Sequence, residues 1–401
     1  MKLLLLLLAF IIMDGVSFSQ SKKEQIEILT NRVDSLNSVL NAEKNTSIEK
    51  SNKISALNTN VTKLTSELQT SKAESTSKQQ KIDILQSLLK IKTDSLALVK
   101  AELKNNNKAN QIVNIPDVNF KYYLVGNKEI NTNRDTEIQV SESNAFNGTI
   151  DCSDKNIANL KGIEAFTALT SLRCQKNQLT SLDLSQNTAL ITLKCDINQL
   201  TSLNVSKNTA LDTLSCYDNQ LISLNVSKNN ALKSLICDKN KFTSLDVSKN
   251  TALTYLGCGD NKLTSFDISK NTALIYLRCD NNKLKSLDLS KNTFLYIMFC
   301  NNNQLTSLNV SKNTDLDALG CNNNKLTSLD LSENTALNHL WCHYNQLTSL
   351  NVSKNTALTI LSCEMNQLKS LDVSKNTVLT TLNCGGNKFD CDALKRKYRI
   401  D

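Results

Sequence analysis

Residues 169–189 read LTSLRCQKNQLTSLDLSQNTA, and this pattern returns every 21 residues up to about residue 387. The cysteine marks the period, because Cys174 recurs at an unbroken spacing as Cys195, Cys216, Cys237, Cys258, Cys279, Cys300, Cys321, Cys342, Cys363 and Cys384. A fixed period in this range is typical of stacked repeats, in which each unit contacts only its neighbours. Such a stack presents a long regular surface, which favours binding over chemistry.

Each unit contains L-x-x-L-x-C-x-x-N-x-L, as in Leu169, Leu172, Cys174, Asn177 and Leu179. This is the leucine-rich repeat pattern with Cys at the third Leu. The rest of the unit repeats it as L-x-x-L-x-L-x-x-N, which divides the unit into halves of ten and eleven residues. The chain therefore resembles the nested, IRREKO-type subtype of bacterial secreted leucine-rich repeat proteins over more than half its length. The resemblance implies a ligand-binding or adhesive module and no defined activity.

We expect a mainly β repeat solenoid over residues 167–388, with two short parallel strands in each coil. Period-two alternation turns Leu172 and Cys174 inward and Arg173 outward. An Asn closes each half where the chain turns, as at Asn177 and Asn187, and Asn tolerates left-handed backbone and bonds neighbouring peptide groups. The pattern predicts two Asn ladders.

Thirteen cysteines in an exported chain would ordinarily indicate disulfides. Stacked cysteines in register, however, have parallel Cβ directions that do not face each other. We therefore predict a ladder of buried thiols that begins at Cys152, with a disulfide between Cys384 and Cys391 left open at the C-terminal end.

The N-terminal third has a different organisation. Residues 1–19 have the charged start, apolar run and small residues of a signal peptide; this apolar run is too short for a comfortable membrane span, and no other long apolar run occurs. Residues 20–110 hold heptads in one phase from Ile26 to Leu103, with neither Gly nor Pro between Lys22 and Lys108. This pattern predicts a long α-helical coiled coil that makes a homo-oligomer. The alternative is a single amphipathic helix that folds back on itself or on the repeats.

Residues 111–166 and 389–401 are expected to cap the solenoid, each with a short helix. The first cap contains a loop similar to an EF-hand calcium loop, in which oxygen ligands alternate along the chain and a Glu closes the site. The matching residues are Asn131, Asn133, Asp135, Glu137 and Glu142. Asn131 replaces the usual Asp, and Thr136 stands where the turn requires Gly. Weak calcium binding and a purely structural loop both remain open, and no other cofactor is expected.

The net charge of +8 is modest for 401 residues, and part of it is one Lys per coil at a fixed register. This column is Lys207, Lys228, Lys249, Lys270, Lys291, Lys312, Lys354 and Lys375. It either binds a polyanion or offsets the acidic residues three positions earlier. Nucleic acid is not indicated, since Arg is scarce and no reading motif occurs. No phosphate loop, nucleophile elbow or helical metal pair occurs either, so we expect no enzyme.

The outward positions of the first half vary between coils, whereas the second half is nearly constant. The variable set includes bulky residues of the types that dominate binding hot spots. They are Tyr255, Tyr276, Arg278, Ile297, Phe299, His339, Trp341 and His343. Coils about 4.8 Å apart would place Phe299 roughly 10 Å from Trp341. The alternative is neutral drift on a solvated face.

The leading hypothesis is an exported, non-enzymatic protein that binds a protein or glycan on this face, at the cell surface or beyond, with avidity from the coiled coil. A structural spacer in the envelope or periplasm is the alternative. A third possibility is calcium-dependent adhesion through the first cap.

Overall fold

A computed structural model describes residues 78–400, together with 27, 30, 31, 33–35, 59, 62, 63, 65 and 66. The chain divides into two compact units, residues 1–110 and 111–401. The predicted signal peptide and most of the predicted coiled coil lie outside the described residues.

In the first unit, helix α1 spans Lys78–Ala109, and the isolated described residues before it are also helical. Its buried side chains include Ile82, Leu85, Leu96 and Val99, which are positions of the predicted heptad seam. The residues of α1 are therefore helical, and the long coiled coil and its oligomeric state stay predictions.

The second unit begins with helices α2 (Val118–Gly126) and α3 (Val140–Ala145) and continues into a twelve-stranded parallel sheet. Its strands follow chain order: β1 pairs with β2, β2 pairs with β3, and so on to β12. Each strand has three residues. They are β1 (Thr149–Asp151), β2 (Ser171–Arg173), β3 (Thr192–Lys194), β4 (Thr213–Ser215), β5 (Ser234–Ile236), β6 (Tyr255–Gly257), β7 (Tyr276–Arg278), β8 (Ile297–Phe299), β9 (Ala318–Gly320), β10 (His339–Trp341), β11 (Ile360–Ser362) and β12 (Thr381–Asn383). A 3-10 turn at Ile163–Ala165 lies between β1 and β2, and helix α4 (Cys391–Tyr398) ends the unit. The predicted cap helices are confirmed.

The register of the sheet follows the 21-residue period, so identical positions of neighbouring coils pair directly. Leu172 pairs with Leu193, and the amide of Cys174 donates to the carbonyl of Lys194 at 2.8 Å. Leu172 and Cys174 are fully buried while Arg173 points outward. This confirms the predicted inward and outward alternation.

The prediction of a second strand in each coil is wrong. In the described coils the second half contains only an isolated bridge, between Asn204 and Asn225. Its backbone groups are used locally instead. The Asp183 carboxylate accepts from the amide of Ser185 at 2.9 Å, and the amide of Asn187 donates to the carbonyl of Leu184 at 3.1 Å. Such turns compete with a sheet ladder for the same backbone groups.

The two predicted Asn ladders are confirmed, and both bind the preceding coil. Asn198 donates to the carbonyl of Cys174 and accepts from the amide of Leu179, each at 3.0 Å. Asn208, fully buried, donates to the carbonyls of Leu184 and Asn187 at 3.0 and 2.9 Å. These side chains add a hydrogen bond from the next coil to buried carbonyls, such as that of Leu184, which also accepts from the amide of Asn187.

The left-handed conformation falls one residue earlier than expected. The ladder Asn does not have positive φ in the first half; the residue before it does. These residues are Lys176, Ile197, Asp218, Lys239, Asp260, Asn281, Asn302, Asn323, Tyr344 and Met365, with φ between 49° and 56°. For the larger side chains this conformation costs about 1–2 kcal/mol each.

The thiol ladder is confirmed. Eleven cysteines, from Cys152 to Cys363, are free and buried, and the disulfide between Cys384 and Cys391 ties the last rung to helix α4. Burial raises the pKa of the ladder thiols, to about 12 for Cys321, so they are protonated and inert at neutral pH.

Candidate functional site

The candidate site is the outer face of the sheet, which we call the sheet face. It consists of the first and third residue of each strand and the residue that follows each ladder cysteine. Because the strands are parallel and in register, each of these positions forms a straight column along the solenoid. All the predicted binding residues lie on this face, from the start of β6 to His343, two residues beyond β10.

Two tyrosines occupy neighbouring rungs of the first column. The rings of Tyr255 and Tyr276 stack with centroids 4.2 Å apart and planes 3° from parallel. Burial, followed by the hydrogen bond from Tyr255, raises the pKa of Tyr276. The edge of Tyr276 in turn meets Phe299, at 6.3 Å between centroids. This packing makes the tyrosines one rigid unit.

Arg278 is held by three carboxylates of its own chain. Its guanidinium donates to both oxygens of Asp280, at 2.8 and 3.1 Å, and to Asp260 at 3.3 Å. The nearest oxygen of Asp238 is 3.8 Å away. The hydrogen bonds to Asp280 come first among the causes that raise the pKa of Arg278. Arg278 is therefore engaged within the face and is not a free cation that a ligand would meet.

Asp238 lies almost completely out of solvent, with its side chain 3% exposed. It fits there because the next coil carries Gly257 and Gly259, where a Cβ atom would collide with the Asp238 carboxylate. The amide of Gly259 donates to that carboxylate at 2.8 Å. Burial nevertheless raises the pKa of Asp238 to about 6.

A second aromatic group surrounds Trp341. The expected separation of roughly 10 Å between Phe299 and Trp341 is wrong, because their ring centroids are 6.0 Å apart. Gly320 lies between them in the column, and the ring of Phe299 lies over it. The ring of His339 stacks on Trp341 at 5.6 Å with a 5° interplanar angle. The sequence missed this contact since it depends on the absent side chain of Gly320.

Two acidic residues flank the Trp341 group. Asp317 lies 3.8 Å from Nδ1 of His339, and Glu364 lies 3.8 Å from Nδ1 of His343. Their side chains are 25% and 28% exposed. Neither acid was among the predicted site residues. For Glu364 the signal available in the sequence was the column after each cysteine, which contains Asp196, Asp238, Asp280 and Glu364 and no Lys or Arg. Asp317 directly precedes β9 and lies outside that column.

The carboxylates of the calcium-like loop accept hydrogen bonds from groups of the protein itself. One oxygen of Glu142 accepts from the amides of Thr132 and Asn133, at 2.8 and 3.1 Å, and the other accepts from the amide of Gln139 at 3.0 Å. Glu137 forms an ion pair with Lys121 at 2.6 Å. The remaining predicted ligands also bond within the loop: Asn131 donates to the carbonyl of Asp135, and Asp135 accepts from Asn133.

A calcium ion at this loop would have to displace those hydrogen bonds, and calcium binding stays a prediction. Among the described residues, no group of three or more His, Cys, Asp or Glu side chains is suited to hold a metal ion. Over the same part of the chain, no helix is both long and apolar enough to cross a membrane.

The comparisons with known proteins agree with this architecture. No protein-family model matches the chain. Internalin J of Listeria monocytogenes is 39% identical over 72 residues, which are 18% of this chain and 8% of that protein. The solved functional domain of InlJ from the same species, described as including a cysteine ladder, is 38% identical with a TM-score of 0.66. That match covers 69% of this chain and 61% of the solved one.

The internalin InlF of Listeria monocytogenes has the same fold, with a TM-score of 0.59 at 21% identity, over 73% of this chain and 96% of that one. A solenoid of 21-residue coils with a cysteine ladder defines a leucine-rich repeat protein. This chain is such a protein, related to the internalins of Listeria. It spans less than two thirds of the Internalin J chains that it matches.

Proposed function

We propose that this chain is an exported, non-enzymatic protein that binds a protein ligand on the sheet face between β6 and β11. The observation that carries the proposal is the concentration of bulky residues there. Tyr255, Tyr276, Phe299 and Trp341 form two packed aromatic groups on one continuous sheet. Packed, partly exposed aromatic residues on a rigid scaffold are typical of the centres of protein interfaces.

A protein ligand is favoured over a glycan by the orientation of the rings. Sugars bind aromatic side chains by lying on an open ring face. Here Tyr255 and Tyr276 cover one face of each other, and His339 covers one face of Trp341. Each of these rings therefore keeps at most one open face, and the carboxylates beside them add hydrogen-bond acceptors, which suits the side chains and peptide groups of a polypeptide.

Rigidity supports the same conclusion. The sheet face is fixed by in-register backbone pairing on every strand, and its aromatic residues are fixed by each other. A pre-ordered surface avoids part of the entropy cost of ordering side chains on binding. We further propose that the N-terminal heptad region oligomerises the chain, so that several sheet faces act together.

The proposal is tested by selecting ligands from a display library of random linear peptides against the full-length protein. The double variant Phe299→Ala/Trp341→Ala should lose capture of the selected peptides, because hot-spot truncation commonly costs about 2 kcal/mol or more. Phe294→Ala is the matched control. Phe294 is 61% exposed and lies in the turn before β8, outside the sheet face.

Equal capture by the double variant and the control would contradict the placement of the binding site. Export is tested separately, by protease treatment of intact cells that produce the protein. Cleavage of the solenoid without lysis is expected for a surface protein. Protection until the envelope is opened would favour the alternative, a structural spacer in the periplasm.

A further inference from the structure

The two aromatic groups of the sheet face differ in charge. The tyrosine pair lies beside Asp238, Asp260 and Asp280, whose charge is partly offset by Arg278 from the same face. In this group the carboxylates beside the aromatic rings already bind the guanidinium of Arg278. The structure thus shows that carboxylates beside aromatic rings on this face accept a basic side chain.

The Trp341 group repeats the arrangement without the cation. Asp317 and Glu364 supply the carboxylates, and Trp341 with Phe299 supplies the rings. No Lys or Arg occurs at the sheet-face positions of β8 to β12, which lie within residues 296–302, 317–323, 338–344, 359–365 and 380–386. In a chain with a net charge of +8, this part of the surface is acidic.

The carboxylates of this second group are only weakly compensated. Each has a histidine nitrogen at 3.8 Å, beyond hydrogen-bond length. Asp317 also has a side-chain hydrogen bond with Tyr296, which brings no cation, and one oxygen of Glu364 is shielded from solvent with no hydrogen-bond partner among the described residues. The region around Trp341 therefore attracts cations.

The two acids lie on opposite sides of Trp341. Asp317 contacts His339 at the start of β10, whereas Glu364 contacts His343 beyond the end of β10. Four residue steps separate His339 from His343, or about 13 Å at ~3.3 Å per residue. A single cation therefore does not reach both carboxylates, but two basic side chains on one extended segment do.

We propose that this region binds a polypeptide segment with two Lys or Arg residues about four or five positions apart, flanking an apolar residue that packs on Trp341 and Phe299. The proposal rests on the proposed function, since it names the ligand chemistry of the same face. Charge complementarity selects the ligand, and the aromatic surface supplies most of the contact area.

The test uses the same display library of random linear peptides and the full-length protein. Selected peptides should be enriched in Lys and Arg with an apolar or aromatic residue between them. Asp317→Asn/Glu364→Gln should reduce their capture by about three- to tenfold, and raising the salt concentration should weaken binding to the wild type. The control is Asp315→Asn/Glu333→Gln, which changes the net charge equally at exposed positions outside the sheet face.

The inference is overturned if the selected peptides show no excess of basic residues, or if Asp317→Asn/Glu364→Gln and the control bind them equally well. The proposed function fails in a different way. Peptides that lack basic residues but depend on Phe299 and Trp341 would overturn the cationic ligand and leave the binding site in place. Peptides indifferent to both pairs of substitutions would overturn the binding site itself. A thermal melt of each variant excludes unfolding as the cause.

Discussion

Gly320→Ala probes the aromatic group without changing any of its rings. A Cβ atom at this position would lie 2.7 Å from Cδ1 of Phe299 and 2.8 Å from the side-chain oxygen of Asn301. Carbon atoms in contact are ordinarily about 3.5–4.0 Å apart, so Phe299 must retreat by roughly 1 Å. Its contact with Trp341 would then open.

The expected energies follow from this displacement. Overpacking of this kind costs about 1–3 kcal/mol, and removal of a Gly from a strand returns about 0.5–1 kcal/mol. The net loss of stability is therefore about 0.5–2 kcal/mol. The Phe299–Trp341 pair is worth about 0.5–1.5 kcal/mol, so peptide capture should fall by about two- to twelvefold.

Trp341 is the sole tryptophan of the chain, which makes intrinsic fluorescence a direct readout of the site. Gly320→Ala should move the emission to longer wavelength, because the indole gains exposure to water. Gly385→Ala is the matched control, since a Cβ atom there meets nothing within 4 Å. An unchanged emission and unchanged capture in Gly320→Ala would refute the argument that Gly320 brings the two rings together.

Four further predictions concern the scaffold. Asn271→Ala should lower the free energy of unfolding by about 1–3 kcal/mol in urea titrations, because two buried hydrogen bonds to the preceding coil, at 3.0 and 2.8 Å, are lost; no measurable loss would contradict the ladder argument. Ile197→Asn should raise the melting temperature by relieving about 1 kcal/mol of left-handed strain at φ 52°, whereas Ile191→Asn, also exposed, should not. Thiol titration should find eleven free cysteines after denaturation and almost none in the native protein at neutral pH, and rapid native labelling would show that the ladder opens. The pKa of Asp238 is about 6 in the folded protein against an ordinary value of 3.8, so burial of its charge costs up to about 3 kcal/mol at pH 7. This cost disappears as the pH falls from 6 to 3.8, because the carboxyl group becomes protonated. Chemical unfolding should therefore show that Asp238→Asn is more stable than the wild type at pH 7 but not at pH 4.

The sequence predicted the features of the fold that depend on a period. Inward Leu172 and Cys174, the buried thiols and both Asn ladders follow from the repeat of 21 and the alternation of 2, which are geometric requirements. The second strand failed because its residues have strand periodicity but also turn chemistry. The Asp183 carboxylate binds the amide of Ser185, which a strand ladder would need. Periodicity gives no measure of that competition.

The candidate site was predictable as a face but not as a set of contacts. Alternation was enough to place Arg278 and Trp341 outward. It did not show that Arg278 is held by Asp260 and Asp280. Nor did it show that Phe299 reaches Trp341 across Gly320. These contacts depend on the sizes of side chains in neighbouring columns, which only the stacked arrangement brings together.

The different ways in which the two halves of each coil are held explain their different variability. The first half is held by backbone pairing, as between Cys174 and Lys194, and this pairing is indifferent to the outward side chains. The second half is held by side chains, through the turn at Asp183 and the buried amide of Asn208. The constant sequence of the second half therefore needs no ligand to explain it, and the lysine column beside it needs none either.

The fold allows the outward side chains of the first half to vary, and this variation does not by itself indicate function. What indicates function is the use made of that freedom: in a chain that is only 5% aromatic, four large rings occupy neighbouring columns within five coils and pack on each other. Substitutions accumulating independently on a solvated face would not be expected to place glycine where two rings must meet.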